Sequence, residues 1–382
     1  MSSIYLDHNA TTALDPAARD EMTPWLAGRV GNPSSIHSFG QEARRAIDRA
    51  RARVARLIGA RPEEIVFTSG GTEANNLAIL GVVTASGCSR SRVVTTAIEH
   101  QAVLNPCAHV AKTGGSVTLL SVNRDGLLNE AEASSSLQDD TLLASVMLAN
   151  NDIGTVQPVG ALAGRAREHG ILLHTDAIQA VGKIPVDVKT LGVDLLSLSG
   201  HKLHGPQGIG ALYVLAGTRL SPRTFGGHQE RGLRPGTENV AAIVGLGKAC
   251  ELAGERLVED TTHMETLRAC FEAAILDRVP GATVNGVGAP RLPNTANVSF
   301  DGLDGETLAI NLDLLGLAVS TGAACSIADK EPSHVLVAMG RTPAQARSSV
   351  RFSFGRDNSQ DDVLRAVALV VEAVEGMRES RR

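Results

Sequence analysis

"LSLSGHKLHGPQGIGALYV", Leu196 to Val214, decides the fold because it reads as an apolar strand, a glycine-rich turn and a second apolar strand, with Lys202 between His201 and His204 in the turn. Apolar runs of this length also stand at 64–67, 92–95, 116–120, 142–148, 171–174 and 195–198, and 3.6-residue periodicity fills the gaps at 41–58, 72–81 and 161–169. That alternation specifies an α/β chain with a mainly parallel sheet sandwiched by helices. A longer helical pattern from 245 to 277 bridges to a C-terminal third of mixed strands and helices. The expected division is a large domain at 15–257 and a small one built from 1–14 and 258–382.

Composition narrows the function. Of 382 residues 43% are hydrophobic and 20% charged, with a net charge of -5, so a sizeable core is expected, with neither a nucleic-acid groove nor a membrane-binding stripe. The N-terminus lacks signal-peptide blocks and no apolar run reaches the roughly 18 residues of a membrane span, which places the chain in the cytoplasm as an expectation. Five cysteines without a Cys-x-x-Cys spacing speak against a disulfide framework or a structural zinc site.

The turn at 201–204 could be a metal site, a solvated charge or a covalent attachment point. His-x-x-His in a turn, without a third ligand nearby, is poor zinc geometry. A lysine just after a strand, where α/β sheets open onto their sites, can be partly desolvated, which lowers its pKa and makes its amine a Schiff-base nucleophile. Pyridoxal phosphate would then need an acid for its ring nitrogen, a plate against its ring and a phosphate cradle. Asp176 in "ILLHTDAIQAVGK" follows a strand 26 residues before Lys202 and could be the acid, or a helix cap. Ser69-Gly70-Gly71-Thr72 joins a strand to a helix whose N-terminus suits phosphate, or is a cap without a ligand. His100 in "TTAIEHQAVLNP" could stack on a ring or be structural. Asn150 and Asn151 supply amides after the strand "TLLASVML", and Arg351 in "SSVRFSFGRDNS" could grip a carboxylate with two parallel bonds, or lie on the surface. Cys325 lies among small residues in "LAVSTGAACSIADKEPSHVL", where a thiol could act as a thiolate nucleophile; the other four cysteines read as small buried hydrophobes.

Together with "YLDHNATT", "GNPSSIHSFG", "NNDIGTVQP" and "GGHQERGLRPGTENV", these stretches, in this order across nearly the whole chain, resemble the cysteine desulfurases of the class V aminotransferase group. The resemblance implies a type I pyridoxal-phosphate-dependent transferase fold, with a mainly parallel seven-stranded sheet in the large domain and a smaller α+β domain carrying the catalytic cysteine. It implies that Lys202 is the Schiff-base lysine, that Asp176 pairs with the ring nitrogen, that Gln179 contacts the phenolate oxygen and that His100 stacks on the ring and shuttles protons. Gly71, Thr72, Ser199 and His201 would hold the phosphate, with Thr237 reaching it from the other subunit of a homodimer. Asn151 would touch the cofactor and, with Arg351, the carboxylate of L-cysteine. Cys325 would take the substrate sulfur as a persulfide and pass it to an acceptor protein. The stretch from Cys325 to Ser333 resembles the longer-loop subgroup that serves iron-sulfur scaffolds. The ending "EGMRESRR", without a scaffold-docking extension, leaves tRNA-thiolation carriers and DNA-sulfur-modification partners as further acceptors. A related lyase acting on selenocysteine, and a non-catalytic relative of the fold, are the competing expectations; the set Lys202, Asp176, His100 and Cys325 speaks against the latter.

Overall fold

The computed structural model describes residues 3–87, 92–321 and 332–380. Chain order begins with strand β1 (Ile4–Tyr5) and helices α1 (Pro16–Leu26) and α2 (Ser38–Leu57). It continues through β2 (Ile65–Thr68), α3 (Gly71–Ala85), β3 (Arg92–Thr96), α4 (Gln101–Lys112), β4 (Ser116–Leu120), α5 (Glu130–Ser136) and β5 (Thr141–Ser145). Next come α6 (Val159–Glu168), β6 (Leu172–Asp176), α7 (Val188–Leu191), β7 (Leu195–Ser199) and β8 (Gly210–Val214).

Strands β2 to β8 are four or five residues long and, except for the edge strand β4, almost wholly buried, as expected where helices cover a sheet. β2 to β8 form one seven-stranded sheet in the order β2-β8-β7-β6-β5-β3-β4. Only the pairings of β8 with β2 and β7 are antiparallel; the other four are parallel. The expected mainly parallel α/β sheet is therefore present, with strand limits within three residues of the apolar runs. α2 shows how its covering helices are encoded: Ala43, Ile47, Ala50 and Val54 bury one stripe between arginines, and His37 caps the N-terminus by accepting from Gly40 N–H at 3.3 Å.

The long helix α8 (Val240–Arg278) leads into the C-terminal third. There β9 (Ala282–Val284), β10 (Thr295–Phe300), α9 (Gly305–Leu314), β11 (Leu317–Ala318), α10 (His334–Ala338), α11 (Pro343–Arg347), β12 (Ser349–Ser353) and α12 (Gln360–Glu379) follow. β12, β10 and β9 make an antiparallel sheet, and β1 pairs in parallel with β11, which ties the N-terminus to this third. The two ends of α8 enter different cores. Ile243, Leu246 and Cys250 pack with the large-sheet cluster, whereas Leu267, Phe271 and Ile275 pack with Phe352 and Phe354. The same helix corrects one expectation: Cys107 and Cys250 are buried, but Cys270 is exposed, because it falls on the outer face of α8 beside the inward-facing Leu267 and Phe271. Cys88 lies outside the described residues.

Candidate active site

A cavity of about 310 Å³ opens at the C-terminal ends of the parallel strands, the place where open α/β sheets bind ligands. β6 ends on Asp176. β7 ends on Ser199 and passes into a single 3₁₀ turn, Gly200–Lys202, that lifts Lys202 to the cavity floor. Asn151 follows β5 across a short turn, and His100 caps α4 just beyond β3, its Nδ1 accepting from Ala102 N–H at 3.0 Å. Ten of the residues expected at the site therefore line one space: Gly71, Thr72, His100, Asn151, Asp176, Gln179, Ser199, His201, Lys202 and Arg351. Thr237 does not line it; it is exposed on the segment before α8. Cys325 lies outside the described residues.

Asp176 is buried, and its two oxygens are held apart by separate donors. Asn75 Nδ2 donates to Oδ2 at 2.7 Å and Ile178 N–H to Oδ1 at 3.0 Å. Burial raises its pKa, opposed by the Ile178 N–H, His100, Asn75 and Lys202. A buried carboxylate of this kind is stabilised by a cationic partner in the cavity.

At the other end of the cavity the strand-to-helix turn into α3 brings backbone against it. Gly70 has φ +154° and ψ -179°, a conformation reserved for glycine. At Gly71 a Cβ would meet Ile178 Cδ1 at 2.1 Å, so the bare backbone there is what lets the α3 N-terminus approach. A more open space of about 390 Å³ adjoins this end and shares Ala10, Gly71, Thr72, Ser199 and His201 with the cavity. His201 Nδ1 lies 3.2 Å from Thr11 Oγ1, and burial, with Lys202 and Lys183 nearby, pulls its pKa down to about 4, so it is neutral. His204 belongs to the turn itself: it has φ +62°, its N–H donates to Thr12 Oγ1 at 2.8 Å and its Nδ1 sits 3.0 Å from Ala13 O.

Several residues that sequence reasoning did not single out organise the site. Lys202 Nζ donates to the backbone carbonyls of Asn9 and Ala10 at 2.6 and 2.5 Å. Arg351, only 4% exposed on β12, donates through Nη2 to Asp7 Oδ1 at 2.7 Å and through Nη1 to Asn151 O at 3.0 Å. Asp7 and Asn9 stand in "YLDHNATT", where three polar residues follow a short apolar pair, and that polarity was the available signal. Asn75 carried none beyond a place on a helix face. Glu99, next to His100, is fully buried; Thr96 Oγ1 and Met147 N–H both donate to its Oε1 at 2.8 Å, and burial pushes its pKa up to about 8.

The residues flanking Cys325 are tied to this same space. Ser320 and Arg351 exchange backbone hydrogen bonds of 3.2 and 2.7 Å. On the far side, Ser333 Oγ donates to Asp152 Oδ2 at 2.5 Å and His334 Nε2 lies 2.9 Å from the carbonyl of Glu99, the residue before His100.

With this geometry the chain matches the class-V aminotransferase family over residues 4–365, and it belongs to that family. Relatives that it matches include cysteine desulfurases. It is 45% identical over 375 residues to the cysteine desulfurase IscS of Dictyoglomus turgidum, covering 98% of this chain and 95% of that one. Among solved structures it is similar to a NifS-like protein at TM-score 0.92 and 36% identity, covering 98% of this chain and 99% of the other. It is also similar to SspA in complex with cysteine, at TM-score 0.82 and 35% identity, covering 94% and 100%. The type I architecture expected from the sequence is the architecture found.

Proposed function

We propose that this protein is a pyridoxal-phosphate-dependent cysteine desulfurase that converts L-cysteine to L-alanine and carries the sulfur as a persulfide on Cys325. The observation that carries the reading is the convergence of Lys202, Asp176, His100 and the glycine-backed N-terminus of α3 on one cavity, with Ser320 bonded to the cavity-lining Arg351 and His334 to Glu99, the residue before His100.

The residues present fit the cofactor. Lys202 supplies the amine that holds it, Asp176 the carboxylate for its ring nitrogen, His100 the plate for its ring and Gln179 a donor for its phenolate oxygen. Gly71, Thr72, Ser199 and His201 form the phosphate end, completed by Thr237 of a second subunit in a homodimer. When bound, pyridoxal phosphate supplies an electron sink for the bonds at the substrate α-carbon.

The chain's own groups do the rest. Arg351 and Asn151 receive the cysteine carboxylate, with Asp7 holding the guanidinium in place. The Lys202 amine, once released, takes and returns protons at the α-carbon. The Cys325 thiolate attacks the substrate sulfur; the carbon–sulfur bond breaks, the new sulfur–sulfur bond forms, and a returned proton completes alanine. SspA, a structural relative, is seen with cysteine, which supports the substrate. The persulfide then passes to an acceptor protein, an iron-sulfur scaffold or another sulfur carrier, in the cytoplasm. No helix among the described residues is long and apolar enough to cross a membrane. The division into a large domain at 15–257 and a small one at 1–14 and 258–382 is supported by the two cores joined through α8.

The test is alanine and sulfide production from L-cysteine together with mass spectrometry of Cys325. With a dithiol reductant present, equal alanine and sulfide are expected, and with the reductant omitted a 32-dalton adduct stays on Cys325. Absence of both products overturns the reading.

A further inference from the structure

Lys183, the last residue of "ILLHTDAIQAVGK", is a second lysine behind the site, 4% exposed, and has no role in the reading above. Its Nζ donates to Gln179 Oε1 at 2.7 Å and to Gln179 O at 3.2 Å. Among the described residues no carboxylate lies within ion-pair distance of it. The charged or titratable groups that surround it are Lys202, Arg351, His8, His201, His204, Asp260 and Arg356. Burial, with Lys202 and Arg351 adding repulsion, pulls its pKa down to about 7. Burying a cation among cations is unfavourable, so what this lysine does there calls for a reason beyond packing.

The reason lies in the Gln179 amide. Lys183 Nζ can donate in either protonation state, and because the carbonyl of Asn9 takes Gln179 Nε2, the atom of Gln179 that faces Lys183 is the acceptor Oε1. The opposite end of the amide meets the carbonyl of Asn9, which only accepts, and Gln179 Nε2 donates to it at 2.8 Å. Asn9 O takes one of the two Nε2 hydrogens, and the second remains for the cavity that Gln179 lines. Asn9 O is also the acceptor of Lys202 Nζ, so the two lysines grip one short polar chain from its two ends.

We propose that Lys183 is a positioning residue: its Nζ, donating to Gln179, locks the amide with Oε1 turned away from the cavity and an N–H turned into it, so that Gln179 acts as a donor to the cofactor. This rests on the cofactor reading above. A donor at the phenolate oxygen withdraws charge from it and makes protonation of the Lys202 linkage less favourable. Loss of the lock therefore raises the pH at which that linkage titrates.

The experiment reconstitutes the full-length protein with pyridoxal phosphate and titrates its visible absorption with pH, without substrate. Lys183→Met is expected to raise the midpoint by about one pH unit. Lys183→Gln, a neutral donor, is expected to show less than half of that shift, and the Met shift is expected to shrink by at least half in a Gln179→Leu background. A full shift in Lys183→Gln, an unmoved midpoint in Lys183→Met, or an equal shift with and without Gln179 overturns the positioning role while the wild-type band leaves the cofactor reading standing. A wild-type protein that develops no visible band overturns both. Lys183→Gln keeps the test decisive if Lys183→Met does not fold.

Discussion

Ser320 and Arg351 exchange a pair of backbone hydrogen bonds, so the chain runs toward Cys325 from a residue bonded to the arginine that grips Asp7 and lines the cavity. Ser320 and the arginine proposed to take the substrate carboxylate are thus paired through their backbones. A disturbance of β12 is felt by both.

Arg351→Lys tests the carboxylate grip. A lysine keeps the charge but cannot make two parallel bonds while also holding Asp7. KM for L-cysteine is expected to rise roughly 10- to 100-fold with a smaller fall in kcat, measured by steady-state alanine production. An unchanged KM would remove Arg351 from substrate binding.

Asn75→Ala removes the donor to Asp176 Oδ2 from a buried carboxylate. A hydrogen bond to a charged group is worth about 1.5–3 kcal/mol, and its loss pushes the Asp176 pKa higher still. Cofactor should dissociate roughly 10-fold faster, followed as decay of the visible band on dilution. Retention at the wild-type rate would show that Ile178 N–H alone suffices for Asp176.

The pH dependence of stability carries a signature of Glu99. Its folded pKa, about 8, lies above the ordinary 4.5, so between these values the native protein keeps a proton that the unfolded chain releases. That contribution is complete below pH 4.5 and is lost as pH rises through 8. Glu99→Gln keeps a neutral amide in place and should flatten the decline, by an amount on the order of a few kcal/mol. Urea unfolding of both proteins at pH 5.5 and pH 8, as assay conditions around that window, decides it; parallel slopes would rule Glu99 out.

Phe271→Ala tests how the small core holds the site. Phe271 packs against Phe352 at 4.6 Å and Phe354 at 5.5 Å between ring centres, on either side of the strand end that follows Arg351. The cavity should cost about 3–5 kcal/mol in unfolding free energy, read from denaturant curves. KM for cysteine should rise with it because β12 carries Arg351; a loss of stability with KM unchanged would uncouple the core from the grip.

How much of this was legible depends on the range of the interaction. Lys202, Asp176 and His100 were readable because each follows an apolar strand by a few residues, and in a mainly parallel sheet such positions converge. Asn75 was not, since a polar residue on a helix face is ordinary until the helix is packed and the face turns out to look at a buried carboxylate. Asp7 and Asn9 were visible as polar residues in a short N-terminal stretch, but their partners lie some 340 and 190 residues away along the chain.

The amino-acid sequence by itself determined the sheet, the turn that presents Lys202 and the set of groups able to handle an amino-acid substrate, because strand length, alternation and turn chemistry are local properties. Only the tertiary structure decided which atoms face which. It turned Lys183 against Gln179, shared Asn9 O between Gln179 and Lys202 and bonded Ser320 to Arg351 and His334 to Glu99, through contacts that exist only once distant parts of the chain are packed together and water is excluded.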